Sequence, residues 1–204
     1  MKTCLLTGYE LASGLLPCAA LYAVYGMGRS GTTRRIRMLL GMAMLYLALV
    51  LHVTGAGTLY NGIQFGMVGK WQDVNLLPFS RTVDPVGYVL NIVLFVPFGM
   101  LMPMLGAGWD KLGRVAAAGL GFSLLIELSQ LLNLRSTDVD DLVMNTLGAV
   151  LGYAVWRLLF RARCRADALA GRERRILLLC AAAVLLGRFL LFDELSAAGL
   201  LYGF

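Results

Sequence analysis

Six long apolar stretches alternate with short polar connections along this chain. They run approximately over residues 5–27, 38–56, 86–105, 113–133, 142–160 and 176–192. Each stretch has about the 20 mostly apolar residues that a helix needs to cross the hydrocarbon core of a bilayer. The pattern therefore predicts an all-α fold, a polytopic transmembrane helix bundle of about six spans.

The composition supports a membrane protein and excludes several other classes. Of 204 residues, 59% are hydrophobic and 15% are charged, and the mean hydropathy is +0.74. Soluble domains average about 45–50% apolar and about 25% charged residues. These values exclude a sizeable soluble domain, a disordered regulator and a disulfide scaffold. The four cysteines lack metal-ligand spacing, so we expect free thiols, no metal site and no cofactor.

The basic residues are concentrated in three of the connections between the apolar stretches. The chain has a net charge of +6, and these three connections hold 13 of its 18 basic residues. By the positive-inside rule they are cytoplasmic, which places both the N-terminus and the C-terminus outside. The positive charge is thus assigned to orientation and to membrane lipids as partners, rather than to nucleic acid. The residues are Arg29, Arg34, Arg35, Arg37, Lys111, Arg114, Arg157, Arg161, Arg163, Arg165, Arg172, Arg174 and Arg175.

Glycines inside the spans indicate close helix packing. Small residues let membrane helices approach one another backbone to backbone. The glycines expected at such contacts are Gly41, Gly119, Gly121, Gly148 and Gly152.

Polar residues in and around the fourth and fifth spans are the candidates for chemistry. Ionisable side chains inside a span are costly and usually face the bundle interior or a wet cavity, and Glu127 is the clearest case. A short link joins the two spans, so their polar residues can converge at the outer mouth of the bundle, where Arg135 is the natural counter-charge for the carboxylates. The predicted polar or ligand-binding cluster consists of Asn91, Glu127, Gln130, Arg135, Asp138, Asp141 and Asn145.

Structural roles remain open for most members of this cluster. Asp138 is a candidate cap of the fifth helix, and Asp141 is an acid in its first turn, where the helix dipole favours negative charge. Asn145 and Gln130 are candidates for hydrogen bonds between helices. The aspartates of the link supply oxygen atoms for a metal, but no coordination shell is evident from their spacing.

Four motifs follow one another along the chain: VNLLPF at 74–79, NIVLFVPFG at 91–99, ELSQ at 127–130 and RSTDVDDL at 135–142. In this order and spacing they resemble the VanZ-like family of bacterial membrane proteins. The resemblance implies a four-span domain over 38–160, preceded by an extra span with a basic cytoplasmic loop (1–37) and followed by another basic cytoplasmic loop and span (161–204). The residues matching the family pattern are Asn91, Pro97, Glu127, Gln130, Arg135, Asp141 and Asn145.

The resemblance implies a multi-pass protein of the bacterial cytoplasmic membrane that acts at its outer face. The expected role is resistance to glycopeptides and lipoglycopeptides of the teicoplanin type, or envelope homeostasis. A binding mechanism is favoured, with the drug, a lipid-linked cell-wall precursor or an envelope protein as the partner. The main alternative is a membrane enzyme acting on a lipid or lipid-linked precursor, with Glu127 as acid or base and Asp141 completing a carboxylate pair. No nucleophile or metal motif supports an enzyme. A small transporter or flippase is a third alternative, but the chain shows no internal repeat.

Overall fold

The structure of the protein, a computed structural model, describes residues 2–25, 34–66, 74–80, 84–133, 135–161 and 171–203. The long helices are α1 (Lys2–Tyr25), α2 (Arg34–Thr54), α4 (Pro85–Leu105), α5 (Leu112–Gln130), α6 (Val139–Leu159) and α7 (Gly171–Leu191). Shorter elements are α3 (Leu59–Phe65), a 3-10 turn (Ala107–Trp109), α8 (Glu194–Tyr202), and the two-residue strands β1 (Val74–Asn75) and β2 (Thr137–Asp138).

The long helices confirm the predicted all-α membrane fold. Within the described residues, five helical segments are each long and apolar enough to cross a bilayer, and a sixth is counted when α7 and α8, bent by 54° at their junction, form one span. The predicted bounds agree with the helix bounds to within about five residues. The orientation of the two termini stays a prediction. The sequence did not predict α3, α8 or the strand pair.

The chain divides into two compact units. The first comprises Met1–Gly69, Ser129–Arg135 and Arg175–Phe204, and the second comprises Lys70–Leu128 and Ser136–Arg174.

In the first unit, α1 and α7 touch through glycine. A Cβ atom at Gly187 would lie 2.5 Å from the carbonyl oxygen of Ser13, and one at Gly14 would lie 3.2 Å from the carbonyl oxygen of Val184. Each glycine therefore leaves room for the backbone of the opposite helix. This contact joins the predicted first and last spans.

In the second unit, α4 and α6 pack backbone to backbone. A Cβ atom at Gly152 would lie 2.0 Å from the carbonyl oxygen of Val96, and one at Gly148 would lie 2.3 Å from that of Ile92. Both positions had been predicted as close contacts, and so had Gly119, where a Cβ would lie 2.7 Å from the Ala149 side chain. The same prediction is wrong for two others. At Gly41 and Gly121 a Cβ atom would meet no described atom within 4 Å, because these glycines lie on helix faces without a close neighbour.

Strand β1 pairs in parallel with β2 in the second unit. Val74 lies opposite Thr137, and Asn75 lies opposite Asp138. The pairing ties the segment before α4 to the start of α6, which is where most of the predicted polar residues lie.

Candidate functional site

The start of α6 is fixed by carboxylates from two helices. Asp138 is the N-cap of α6, and its Oδ1 accepts a hydrogen bond from the backbone N–H of Asp140 at 3.0 Å. The backbone N–H of Asp138 in turn donates to Oε2 of Glu127 at 3.1 Å. Glu127 is only 2% exposed. The predicted capping role of Asp138 is therefore confirmed, and Glu127 holds the cap against α5.

Asn75 connects this cap to the segment 74–80. Its Nδ2 donates to both carboxylate oxygens of Asp138, at 3.1 and 3.2 Å. Its Oδ1 accepts from the backbone N–H of Leu77 and from the hydroxyl of Ser80. One buried amide thus sets both the turn and its attachment to α6.

Asp140 fixes the far end of the segment 74–80. This residue is 3% exposed, and its Oδ1 accepts from the backbone N–H of Phe79 at 2.8 Å while its Oδ2 accepts from the hydroxyl of Tyr88 at 2.5 Å. Phe79 has a φ angle of 56°, which lies in the left-handed region that non-glycine residues seldom adopt. Asp140 therefore holds a strained residue in place, and such strain persists where the surrounding structure imposes it.

In the second unit, two asparagines form hydrogen bonds between helices. Asn91 of α4 donates through Nδ2 to Oδ1 of Asp141 at 2.6 Å. Asn145 of α6 donates through Nδ2 to the hydroxyl oxygen of Ser123 on α5 at 2.9 Å. The Oδ1 atom of Asn145 is buried and has no hydrogen-bond partner among the described residues. The predicted role of Asn145 in a hydrogen bond between helices is confirmed, and its Oδ1 atom remains as an acceptor without a described partner.

We call Glu127, Asp138, Asp140 and Asp141 the acidic cluster. In the bonds described above, its donors are neutral: asparagine amides, a phenol and backbone N–H groups. Hydrogen bonds from such donors stabilise a carboxylate that is shielded from water. Among the residues that the structure describes, no three His, Cys, Asp or Glu side chains converge on a point where a metal ion would bind.

The predicted cluster is divided between the two units. Asn91, Glu127, Asp138, Asp141 and Asn145 belong to the second unit, whereas Gln130 and Arg135 belong to the first.

In the first unit, Gln130 and Arg135 bond to the end of α2. Nε2 of Gln130 donates to the carbonyl oxygen of Thr54 at 2.8 Å, and a guanidinium N–H of Arg135 donates to the same oxygen. Gln130 thereby joins α5 to α2, as its predicted interhelical role requires. The pairing of Arg135 with the acidic cluster stays a prediction.

Sequence reasoning gave no role to Asn75, Tyr88 and Ser123, and it considered Asp140 only as one of the aspartates of the link. Two of them carried a usable signal, since Ser123 precedes Glu127 by four residues and Tyr88 precedes Asn91 by three, so each lies on the same helix face as a predicted site residue. Asn75 depends on the β1–β2 register, and helix periodicity carries no information about that register.

The first unit contains a second buried ionic network, which sequence reasoning also missed. Arg188 of α7 donates through Nη2 and Nε to Oε1 of Glu10 on α1, at 2.6 and 2.9 Å. The other carboxylate oxygen of Glu10 lies 2.5 Å from Nδ1 of His52. Glu10 and Arg188 are both buried. Glu10 and Arg188 are therefore buried ionisable residues within long helices, as Glu127 is, and His52 pairs with the acid of this network.

A family profile and one curated relative match this chain. Residues 41–161 match the sequence profile of the VanZ/LLP1 family. Ninety residues are 31% identical to Protein VanZ of Enterococcus faecium, covering 43% of this chain and 54% of that protein. The match thus spans about half the length of that relative. No solved structure matches the chain.

Proposed function

The chain belongs to the VanZ/LLP1 family, and from that premise we propose that it lowers the sensitivity of bacteria to lipid-tailed glycopeptides of the teicoplanin type. It does so at the outer face of the cytoplasmic membrane, by binding a lipid-tailed ligand rather than by catalysis. The ligand is the drug itself or a lipid-linked cell-wall precursor.

The observation that carries this proposal is an exposed apolar tip beside the acidic cluster. We define the apolar tip as Leu76, Leu77 and Phe79, which are 74%, 69% and 55% exposed. The tip lies in the connection before α4 and is fixed to the start of α6 by Asn75 and Asp140. Apolar side chains that are exposed and held rigidly suit a ligand with a lipid tail, because the tip receives the tail without first having to become ordered.

The hydrogen bonding of the acidic cluster favours binding over catalysis. A general base needs a carboxylate oxygen within hydrogen-bond reach of the proton that it removes. Oε2 of Glu127 and both carboxylate oxygens of Asp138 and Asp140 already accept hydrogen bonds that hold the turn and the cap. These acids hold the turn and the cap, and a proton transfer to or from them would break the hydrogen bonds that do so.

Substitution of Glu127 tests the mechanism. Glu127→Gln keeps an oxygen for the backbone N–H of Asp138 but removes the ionisable group. We expect a susceptible host that expresses this variant to keep the teicoplanin resistance given by the unsubstituted protein, at equal membrane abundance. Glu194→Gln, an exposed site on α8, is the matched control. Loss of resistance in the Glu127 variant alone would contradict binding and support an acid–base enzyme.

Substitution in the apolar tip tests the ligand. Leu77→Ser should abolish resistance, because it places a polar side chain where the lipid tail binds. Leu200→Ser changes a leucine of α8 that is 88% exposed, and it should have no effect. Retained resistance in Leu77→Ser would refute the role of the tip. Absence of resistance with the unsubstituted protein would refute the proposed function altogether.

A further inference from the structure

A cavity of about 610 Å³ opens in the second unit, next to the start of α5. Its walls come from the 3-10 turn after α4, from the first two turns of α5 and from the start of α7. The lining residues are Gly108, Trp109, Arg114, Ala117, Ala118 and Arg174. We call it the arginine cavity.

Two guanidinium groups supply the charge of the arginine cavity. Nη1 of Arg114 donates to the carbonyl oxygen of Gly108 at 2.6 Å, which fixes the direction of the side chain and leaves its other N–H groups for a ligand. Arg174 is exposed and lines the same space. Guanidinium groups bind phosphate oxygens through paired N–H donors, so two on one cavity favour a phosphate group.

The charges on the same segments leave the rim positive. Asp110 follows the 3-10 turn and Glu173 precedes Arg174, so each segment carries one acid. Lys111 offsets Asp110, and the two lining arginines outnumber Glu173, the one acid that remains. These segments of the second unit therefore carry a net positive charge.

The remaining walls of the arginine cavity are apolar. Trp109 is of the residue type that concentrates at membrane–water interfaces. Ala117 and Ala118 contribute only methyl groups to the wall that α5 forms. A free phosphate ion gains nothing from these surfaces, whereas a phospholipid places its glycerol and acyl chains against them.

The arginine cavity and the acidic cluster lie at opposite ends of α5. Arg114 and Glu127 are 13 residues apart in this helix, a rise of about 20 Å at 1.5 Å per residue. The arginine cavity lies at the end that the charge distribution predicts to be cytoplasmic, where anionic lipids attract basic groups.

From these observations we propose that the arginine cavity binds the phosphate of an anionic phospholipid of the cytoplasmic leaflet. Trp109 lies at the level of the lipid glycerol, and the alanine face of α5 contacts the first methylenes of an acyl chain. This site is independent of the lipid-tailed ligand proposed above, because it uses other residues at the other end of the unit.

Lipid titration of the purified full-length protein tests the proposal. Phosphatidylglycerol or phosphatidylcholine is added to the protein in detergent, and bound lipid is counted by native mass spectrometry. We expect the protein to bind phosphatidylglycerol in clear preference to phosphatidylcholine. Arg114→Gln with Arg174→Gln should weaken its binding roughly 25-fold, since each guanidinium that contacts the phosphate directly contributes about a fivefold factor. Arg174→Gln alone, at an exposed helix start, should give about a fivefold loss.

Two controls make the result decisive. Arg157→Gln with Arg161→Gln removes the same charge from exposed positions near the end of α6 that do not line the cavity, and this variant should bind phosphatidylglycerol as the unsubstituted protein does. Inorganic phosphate at matched concentration should not compete with the lipid. An equal loss in both double variants, an unchanged preference in the cavity variants, or full competition by inorganic phosphate would each overturn the proposal.

Discussion

The buried ion pair between Glu10 and Arg188 makes the sharpest energetic prediction. Replacing either residue by methionine leaves the other buried without its main partner. Glu10→Met leaves Arg188 with the carbonyl oxygen of Ala56, to which its Nη1 donates at 2.5 Å. Arg188→Met leaves Glu10 with His52. Both single variants should be destabilised, and Glu10→Met should be destabilised more, because Glu10 keeps its contact with the His52 ring in the other variant, whereas a carbonyl oxygen cannot neutralise a guanidinium.

The size of the effect follows from the contact geometry. Oxygen–nitrogen distances of 2.6 and 2.9 Å place the charge centres of the two groups about 4 Å apart. At that separation and an effective dielectric constant of about 20, opposite unit charges attract by about 4 kcal/mol. Breaking a buried pair from one side costs about 3–5 kcal/mol, whereas replacing both partners with apolar groups is often nearly neutral. The double variant should therefore be more stable than either single variant.

A double-mutant cycle measures this coupling. The free energy of unfolding of the four proteins is determined from reversible denaturation in mixed micelles, with Glu194→Gln and Arg175→Gln as an exposed pair in the same unit. We expect a coupling energy of at least about 4 kcal/mol for Glu10 with Arg188, and near zero for the exposed pair. Additive effects of Glu10→Met and Arg188→Met would refute the reasoning, because they would mean that the two charges do not depend on each other.

Three further outcomes follow from the packing, the acidic cluster and the charge distribution. Gly152→Val should destabilise the protein by at least about 1–3 kcal/mol, the usual cost of overpacking, while Gly121→Val should have little effect; equal thermal shifts of the two variants would count against the α4–α6 contact. Asp140→Ala should release the segment 74–80, so that its amide hydrogens exchange faster in mass spectrometry, and unchanged exchange would show that the carboxylate does not hold it. A cysteine introduced at Ser136 should react with an impermeant maleimide added to intact cells, and one at Ala168 should not; the reverse labelling would overturn the predicted orientation.

The helices were predictable because the signal for each one is local. Apolar runs of about 20 residues locate the spans without any knowledge of tertiary contacts. Asp141, Asn145, Gly148 and Gly152 follow one another at spacings of four, three and four residues, which places them on one face of α6. In the structure this face bonds to Asn91 and Ser123 and packs on α4.

The features that could not be predicted depend on contacts between distant parts of the chain. Asn75 meets Asp138 across 63 residues, and Glu10 meets Arg188 across 178. No periodic pattern in the sequence indicates either pairing, because each pairing depends on how separate elements pack. The sequence reasoning also grouped Gln130 with Glu127 since both lie near the end of one helix, although the two residues belong to different units.

Binding of the drug to the purified protein tests the central claim most directly. The full chain is reconstituted in lipid nanodiscs and titrated with teicoplanin, and the drug is then recovered and analysed by mass spectrometry; a parallel titration uses a lipid-linked cell-wall precursor. We predict saturable binding of one of the two ligands, weakened by Leu77→Ser but not by Glu127→Gln, with the ligand recovered intact. Failure of both ligands to bind, or recovery of a chemically altered ligand, would contradict the account.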